Sequence, residues 1–243
     1  MIDLNKLNPE QKQAVLTTEG PLLILAGAGP LLVLAGAGTG KTRVITYRIA
    51  YMLRSGIPPE QILGMTFTNK AAREMRERIN RLAGEAADDM WVMTFHALSA
   101  RILRRDIEKL GYKREFSIYD DDDQMTLIKR ILKKLDISDK SYPPRAVKSV
   151  ISDAKNHMLS PEEWLKDNPD FRSKPYYRAY CEYEKELKEN NALDFDDLIL
   201  KTLELLTEHP PVLEVYRRKF SYIMVDEYQD TNMAQYMLVR TLA

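Results

Sequence analysis

The chain has 243 residues, enough to bury a full hydrophobic core in one large domain or two modest ones. Its 44% apolar and 30% charged residues are ordinary for a soluble globular protein, and the formal net charge of zero means that any basic, nucleic-acid-binding face must be local. A single cysteine, Cys181, excludes an internal disulfide framework. Proline and glycine interrupt the longest uncharged stretch, residues 20–39, so we expect a cytoplasmic protein rather than a membrane span.

The first predicted element is a short amphipathic helix over residues 7–15, which carries Gln11. An amide side chain both donates to and accepts from the edge of adenine, so Gln11 is a candidate for recognising that base. A polar residue on the outer face of a short helix is an equally good interpretation.

Residues 21–38 contain one nine-residue phrase twice, first as PLLILAGAG and then as PLLVLAGAG. Only the second copy continues into Thr39, Gly40, Lys41 and Thr42, which predicts a phosphate-binding loop between a buried strand (residues 31–34) and a helix. Glycines let backbone N–H groups approach a polyphosphate, and the helix start favours an anion.

Two side chains complete this loop chemically, since Lys41 supplies a charge for the terminal phosphates and Thr42 a hydroxyl for Mg²⁺. The strict pattern has Gly where this chain has Ala35, so a plain strand with a glycine turn is the alternative. We predict that the second copy forms the central strand and that residues 20–30 are irregular. The alternative is that the first copy takes that place with residues 22–25.

Further short apolar runs alternate with amphipathic helical stretches, which is typical of an α/β fold with a parallel sheet. The predicted strands are residues 31–34, 62–66, 91–94 and 222–225, and the predicted helices are residues 41–55 and 69–82. Between residues 97 and 207 we predict helices broken by glycine and proline, with no strand, and hence an inserted helical subdomain at about 107–193.

Two charged clusters in these helices have structural explanations. Residues 120–123, four aspartates, precede an apolar-periodic helix, so we expect helix capping rather than a metal site. The basic residues of helix 69–82 are interleaved with Glu74 and Glu77, which favours pairing at i,i+4. Arg101, Arg104 and Arg105 are left as equally good candidates for solvated residues or DNA-backbone contacts.

The last predicted strand ends in Asp226 and Glu227, at the carboxyl edge where open α/β sheets bind ligands. In a phosphate-loop protein the first acid holds Mg²⁺ and the second activates the attacking water. Acids often end strands, but combined with Lys41 and Thr42 the pair predicts an ATP-Mg²⁺ site.

Several segments together resemble the PcrA/UvrD/Rep-type superfamily 1 DNA helicases in order and spacing, over essentially the whole chain. These segments are residues 7–15, 35–42, 66–72, 94–96, 193–198 and 226–232. The resemblance implies a RecA-like P-loop NTPase domain, called 1A, at residues 1–106 and 194–243, with the helical subdomain 1B inserted at 107–193.

The resemblance also implies roles for individual residues at the nucleotide. The implied nucleotide-binding residues are Gln11, Ala37, Gly38, Thr39, Gly40, Lys41, Thr42 and Arg43. Thr42 and Asp226 would hold Mg²⁺, Glu227 would be the general base, and Gln229 would link the nucleotide state to the DNA site.

For single-stranded DNA, the resemblance implies contacts from Phe67, Thr68, Asn69, His96 and Phe195. Aromatic faces stack on bases without reading sequence, which suits a translocating enzyme. Ordinary core packing is the alternative for Phe67, and a structural hydrogen bond is the alternative for His96.

These observations lead to one main hypothesis: the chain is the ATP-binding half of an ATP-dependent DNA helicase, 3′-to-5′ by resemblance, acting on single-stranded DNA or 3′-tailed duplex. In that family, arginines that reach the γ-phosphate lie further along, in a second motor domain that we expect to be missing here. The alternative is a catalytically impaired fragment that binds nucleotide and DNA. A phosphate-loop ATPase that acts on protein partners is a third class.

Overall fold

The computed structural model describes residues 2–17, 40–84 and 89–243. Two predictions lie outside the described residues and stay predictions: the strand at residues 31–34, and which copy of the repeated nine-residue segment forms the central strand. The implied nucleotide-binding residues Ala37, Gly38 and Thr39 also lie outside the described residues.

The described residues form β-strands, α-helices and short 3₁₀ turns. The strands are β1 (Ile62–Thr66), β2 (Trp91–Thr94), β3 (Ser117–Ile118), β4 (Ala192–Leu193) and β5 (Tyr222–Val225). The α-helices are α1 (Pro9–Leu16), α2 (Lys41–Arg54), α3 (Asn69–Ala83), α4 (Phe95–Asp106), α5 (Asp121–Lys134), α6 (Pro144–Asn156), α7 (Pro161–Asp167), α8 (Lys174–Glu189), α9 (Phe195–Glu208), α10 (Pro210–Lys219) and α11 (Met233–Leu242). Short 3₁₀ turns lie at Leu4–Lys6, Pro59–Gln61, Ile107–Leu110, Phe171–Ser173 and Tyr228–Asp230.

The chain forms two compact units. Unit 1 comprises Met1–Leu98, Pro211–Thr231 and Val239–Ala243, and unit 2 comprises Ser99–Pro210 and Asn232–Leu238. The proposed bounds of 1A and 1B stay a prediction.

Unit 1 contains a parallel sheet whose described strands run in the order β2-β1-β5. Each predicted strand among the described residues is confirmed at its predicted bounds, and helices α2 and α3 are confirmed to within one residue. All five residues of β1 are buried, as expected for a parallel strand covered on both faces. Ile45 and Ile49 of α2 and Met75 and Ile79 of α3 pack into one core with strand residues such as Val92.

Helix α1 packs on α2 through Val15 and Val44, and Leu7, which precedes α1, joins the same apolar cluster. The fully buried Arg48 fixes this contact, because its Nη1 donates to the carbonyl oxygen of Ala14 at 2.7 Å. Burial lowers the pKa of Arg48 to about 10, so the guanidinium remains charged at neutral pH. The helix that carries Gln11 is therefore anchored to the helix that begins at Lys41.

Unit 2 is mainly helical, with a core built by α5, α6 and α8 around residues such as Ile131, Ile151 and Tyr183. The prediction that this region contains no strand was wrong, since β3 and β4 pair in parallel with Ser117 opposite Ala192. Strands of two residues are too short to show an alternating pattern, which explains why the sequence did not reveal them.

The capping interpretation of the aspartates is confirmed. The Asp120 carboxylate accepts hydrogen bonds from the N–H groups of Asp122 and Asp123, and the Asp123 carboxylate accepts one from the Asp120 N–H, which forms a capping box. In the part of the chain that the structure describes, no helix has both the length and the apolar character needed to cross a bilayer.

Candidate functional site: the carboxyl edge of the sheet

The carboxyl edge of the sheet places Asp226 directly after β5. Strands β1 and β5 pair with Met65 opposite Val225, and the Asp226 N–H continues the ladder to the Met65 carbonyl at 2.9 Å. Asp226 is 7% exposed, whereas the Glu227 side chain is 46% exposed. The backbone pairing therefore fixes one acid inside the edge and directs the next toward solvent.

Thr42, in the first turn of α2, donates its hydroxyl to Asp226 Oδ2 at 2.9 Å. Burial raises the pKa of the Asp226 carboxyl, and the hydrogen bond from Thr42 opposes that shift. A hydroxyl and a carboxylate placed together are oxygen ligands of the kind that Mg²⁺ prefers. The donor set thus fits the magnesium site that the sequence predicts.

Lys41 lies between two residues of the segment after β5. Its Nζ is 3.0 Å from Glu227 Oε2 and donates to Gln229 Oε1 at 3.4 Å, while Gln229 Nε2 donates to Glu227. The hydrogen bonds from Gln229 and then Lys41 lower the pKa of Glu227 below its usual value. Glu227 has φ of 51°, in the left-handed region that non-glycine residues rarely adopt.

Gln11 lies beside the residue that precedes α2. Gly40 has φ of 89°, and a methyl group placed on its Cα would lie 3.3 Å from Gln11 Nε2. A side chain at position 40 is therefore disfavoured both by the backbone and by Gln11. The amide of Gln11 also caps α1 by accepting from the Asn8 N–H at 3.1 Å.

One pocket joins these side chains and contains an arginine that the sequence did not assign to it. The pocket is lined by Gly40, Lys41, Thr42, Arg43, Arg78, Glu227 and Gln229. Arg78 pairs with Glu74 at 3.6 Å, one turn earlier on α3, which is why the sequence pattern favoured a solvated residue. Arg43 and Arg78 also line an adjoining pocket that contains Tyr47 and Arg81.

The other side of the same edge carries the predicted DNA contacts of unit 1. Strands β1 and β2 pair with Thr66 opposite Thr94, so the residues that follow them emerge together. Phe67 is half-buried, with its ring 5.4 Å from that of the buried Phe95 at a tilt of 51°. His96, also half-buried, is the second residue of α4.

Thr68 and Asn69 occupy the start of α3. Thr68 is its N-cap and accepts from the Ala71 N–H at 3.1 Å, and both Thr68 and Asn69 are exposed. A helix start with an exposed hydroxyl and amide can hold a phosphate.

Several basic side chains of the sequence analysis have partners within the protein. Lys70 pairs with Glu74 at 4.0 Å, which together with Arg78 confirms i,i+4 pairing on α3. Arg76 donates to the Val92 carbonyl at 2.8 Å. In unit 2, Arg104 donates to the carbonyl of Arg114 at 2.6 Å, and the centre of its guanidinium lies 3.8 Å from the centroid of the Phe116 ring, so it has a structural role.

Phe195, the predicted DNA contact of unit 2, is the first residue of α9 and is 46% exposed. The acids around it are held by Lys155, whose side chain is 1% exposed and was not singled out in the sequence. Lys155 Nζ lies 2.8 Å from Asp194 Oδ2, 2.7 Å from Asp197 Oδ1 and 2.7 Å from Glu184 Oε1.

These buried charges shift one another's proton affinity. Burial would lower the pKa of Lys155, but Asp194 and Asp197 outweigh it and raise that pKa well above its usual value. Burial would raise the pKa of Asp194, but Lys155 lowers it, whereas burial and the neighbouring charge of Asp194 raise the pKa of Asp197. The ammonium of Lys155 and the carboxylate of Asp194 are thus the fixed ion pair of this cluster.

Comparison with known proteins gives consistent matches. The family model for the UvrD/REP helicase N-terminal domain matches residues 29–243. The chain is 51% identical to the ATP-dependent DNA helicase PcrA of Bacillus subtilis, 49% to that of Staphylococcus aureus strain Mu50 and 48% to that of Staphylococcus epidermidis, each over 241 residues and 99% of this chain. The matches span 31–32% of those relatives' length, so the chain corresponds to about a third of each.

Proposed function

The chain belongs to the UvrD/REP helicase N-terminal domain family, and from this premise we propose that it binds ATP-Mg²⁺ and single-stranded DNA as the ATP-binding half of a helicase or translocase. The observation that carries the proposal is the junction of Lys41 and Thr42 with Asp226 and Glu227 at one edge of the sheet. By family resemblance the direction is 3′-to-5′, and the preferred partner is single-stranded DNA or a 3′-tailed duplex.

When the nucleotide binds at this edge, it replaces contacts that the protein side chains make with one another. Lys41 leaves Glu227 for the terminal phosphates, and the helix start after Gly40 faces the same anion. Thr42 and Asp226 would hold Mg²⁺, which when bound neutralises charge on the phosphate oxygens. Glu227, released from Lys41, orients and deprotonates the attacking water.

Gln11 and further residues of the pocket contact the rest of the nucleotide. Gln11 lies beside Gly40 and offers its amide to the adenine edge, and Arg43 lies along the nucleotide. Arg78, which lines the same pocket from α3, adds a positive charge for the phosphates or ribose. Gln229 contacts both Lys41 and Glu227 and so responds when the nucleotide removes Lys41.

Nucleotide binding is tested by titration with a fluorescent, non-hydrolysable ATP analogue, with and without Mg²⁺. Lys41→Ala is expected to weaken binding at least about tenfold, and Thr42→Val to remove the Mg²⁺ dependence of binding. Lys70→Ala is the control, since Lys70 is 79% exposed and pairs only weakly with Glu74. Equal affinity in Lys41→Ala and the unsubstituted chain would contradict the proposal.

Base recognition is tested by competition between adenine and guanine nucleotides. Gln11→Ala should reduce the preference for adenine while Mg²⁺-dependent phosphate binding remains. A preference that survives this substitution would mean that Gln11 acts only as the cap of α1.

DNA binding is tested with a labelled oligothymidylate at low salt, where phosphate contacts are strongest. Phe67→Ala should weaken binding by about 1–3 kcal/mol, the size of one base–aromatic stack. Phe171→Ala is the matched control, because Phe171 is an aromatic side chain that is 79% exposed and is not among the predicted DNA contacts. Failure of the unsubstituted chain to bind would favour a phosphate-loop ATPase that acts on protein partners.

We further propose that the 243-residue chain turns over ATP very slowly and does not unwind duplex. The chain spans about a third of its relatives' length, and an arginine supplied from elsewhere contributes about 10³–10⁵ in rate in comparable enzymes. Phosphate release with and without single-stranded DNA tests this, with Glu227→Gln as the inactive reference. Appreciable DNA-stimulated hydrolysis by the chain would contradict the proposed slow turnover and rule out the impaired, binding-only alternative.

A further inference from the structure

Asn232 ends the segment that begins with Asp226, and its two amide atoms have separate partners. Its Oδ1 accepts from the Gln235 N–H at 2.8 Å, and Gln235 Oε1 accepts from the Asn232 N–H at 3.1 Å. Because the oxygen caps α11, the amide nitrogen is directed elsewhere, and it donates to Asn156 Oδ1 on α6.

The orientation of Asn156 is fixed from both sides. Its oxygen accepts from Asn232, so its nitrogen faces Ser152, where it donates to the carbonyl at 2.8 Å and to Oγ at 3.3 Å. If the Asn156 amide were flipped, its nitrogen would face the Asn232 amide nitrogen and its oxygen would face the Ser152 carbonyl oxygen. Asn156 therefore always accepts from Asn232 and donates to Ser152, never the reverse.

Ser152 completes the series by donating its hydroxyl to Asp196 Oδ2 at 2.6 Å. The series Asn232, Asn156, Ser152 and Asp196 thus runs from donor to acceptor and ends on a carboxylate. Hydrogen bonds to a charged acceptor are strong, and bonds arranged head to tail polarise one another. All four side chains are half-buried, which limits competition from water.

The α9 start is already held without this series. Lys155, also on α6, binds Asp194 and Asp197, and Asp194 caps the helix through the Asp197 N–H at 2.8 Å. The bond from Ser152 to Asp196 is therefore additional, and it is the bond that continues to Asn232. Asp196 is the neighbour of Phe195, and Asn232 lies three residues beyond Gln229 in the sequence.

We propose that Asn156 and Ser152 are positioning residues, which couple the nucleotide-binding segment 226–232 to the DNA-binding turn at Phe195. The inference rests on the proposed function, since it assigns a role between the nucleotide and the DNA. When nucleotide binding shifts the segment, Asn232 moves relative to Asn156, and the series changes the position of Asp196 and of the aromatic ring beside it.

The coupling is measured as the ratio of oligothymidylate dissociation constants without and with AMP-PNP-Mg²⁺. A coupled pair of sites typically gives a ratio of about 5-fold or more, and by linkage the same ratio applies to nucleotide affinity with and without DNA. We expect Asn156→Ala and Ser152→Ala each to bring the ratio below about 2-fold, while nucleotide affinity without DNA is unchanged.

Two control variants separate coupling from a structural role. Asn168→Ala removes a similar bond, from Asn168 Nδ2 to the Trp164 carbonyl at 2.9 Å, but lies outside the series and should keep the ratio. Ser152→Thr retains the hydroxyl and should restore the ratio that Ser152→Ala loses. The double variant with Asn156→Ala and Ser152→Ala should lose as much of the coupling ratio as either single variant, because both residues belong to one series.

Each outcome decides one statement. If the unsubstituted chain binds both ligands but the ratio of oligothymidylate dissociation constants is 1, the proposed coupling is overturned and the proposed function remains intact. An unchanged ratio in the Asn156→Ala or the Ser152→Ala variant also overturns the proposed coupling. Absence of binding of either ligand to the unsubstituted chain counts against the proposed function itself.

Discussion

Lys41 and Lys155 both pair with carboxylates, but the two pairs differ in burial. Lys41, in unit 1, lies 3.0 Å from the half-exposed Glu227 at the edge of an open pocket. Lys155, in unit 2, is buried among Asp194, Asp197 and Glu184. Both lysines lie within hydrogen-bonding distance of carboxylates, but only the Lys41 pair can be separated by a ligand without leaving a buried charge unpaired.

The difference shows how burial decides whether an ion pair serves binding or structure. An exposed pair contributes about 0–1 kcal/mol, so an incoming phosphate can replace Glu227 at Lys41 at little cost. A buried pair that loses one partner leaves a charge without compensation, which is strongly unfavourable. The Lys155 cluster therefore keeps the acids around Phe195 in place, while the Lys41 contact remains exchangeable.

The largest expected effect comes from removing the buried lysine. Lys155→Met should lower the free energy of unfolding by about 3–5 kcal/mol, because it leaves buried carboxylates without their cation. Urea denaturation of the 243-residue chain measures this. Lys134→Met is the control, since Lys134 is 52% exposed although it contacts Glu182 and Glu186. A similar loss in both variants would remove the distinction between buried and exposed pairs.

The next effect concerns the hydroxyl that supports Asp194. Tyr183 OH donates to Asp194 Oδ2 at 3.0 Å, so Tyr183→Phe should cost about 1.5–3 kcal/mol, as for a hydrogen bond to a charged group. Tyr180 OH donates to the neutral Leu159 carbonyl at the same distance, and Tyr180→Phe should cost only about 0.5–1.5 kcal/mol. Denaturation midpoints in the reverse order would show that Asp194 is not the charged member of the cluster.

Removing the exchangeable lysine should affect stability less and binding more. Lys41→Met should change the free energy of unfolding by no more than about 1 kcal/mol, because its partner Glu227 is half-exposed. The same variant should bind AMP-PNP at least about tenfold more weakly, a loss of about 1.4 kcal/mol or more. Denaturation and nucleotide titration on one preparation give both values, and a large stability loss would show that this pair is structural too.

The smallest effect is a shift in proton affinity. Gln229→Ala removes the main cause of the lowered pKa of Glu227, so that pKa should rise toward its usual value. A lowered pKa in the folded state favours the native protein above the usual pKa, and this contribution is lost as the pH falls through the lowered value. Carboxyl NMR titration measures the shift, with the exposed Gln13→Ala as control. An unchanged pKa would mean that Lys41 alone sets it.

The elements nearest the site were predictable because their signals are local. Strands β1, β2 and β5 are short apolar runs, and polar residues such as Thr66 and Asp226 mark their ends. Lys41, Thr42 and Asp226 were predictable because their chemistry depends on their position beside a glycine turn or a strand end, and the structure brings them together.

The residues that the sequence missed depend on contacts between distant segments. Lys155 has the pattern of an exposed helical lysine, and it is buried by the packing of α6 against α8 and α9. Arg78 has the pattern of a solvated residue paired with Glu74, and the packing of α3 on α2 places it in the pocket that Lys41 lines. Neither packing contact leaves a periodic signal in a single sequence.

Because Arg48 anchors α1, the position of Gln11 beside Gly40 depends on the docking of this helix. Helix α1 has eight residues, fewer than the roughly 12–15 that an isolated helix needs to persist in water. The bond from the Lys12 N–H to the Asn8 carbonyl therefore persists only while α1 is docked. Deuterium exchange at Lys12 reports undocking of this helix rather than global unfolding. A nucleotide held by Gln11 should slow that exchange, whereas inorganic phosphate, which has no base, should not.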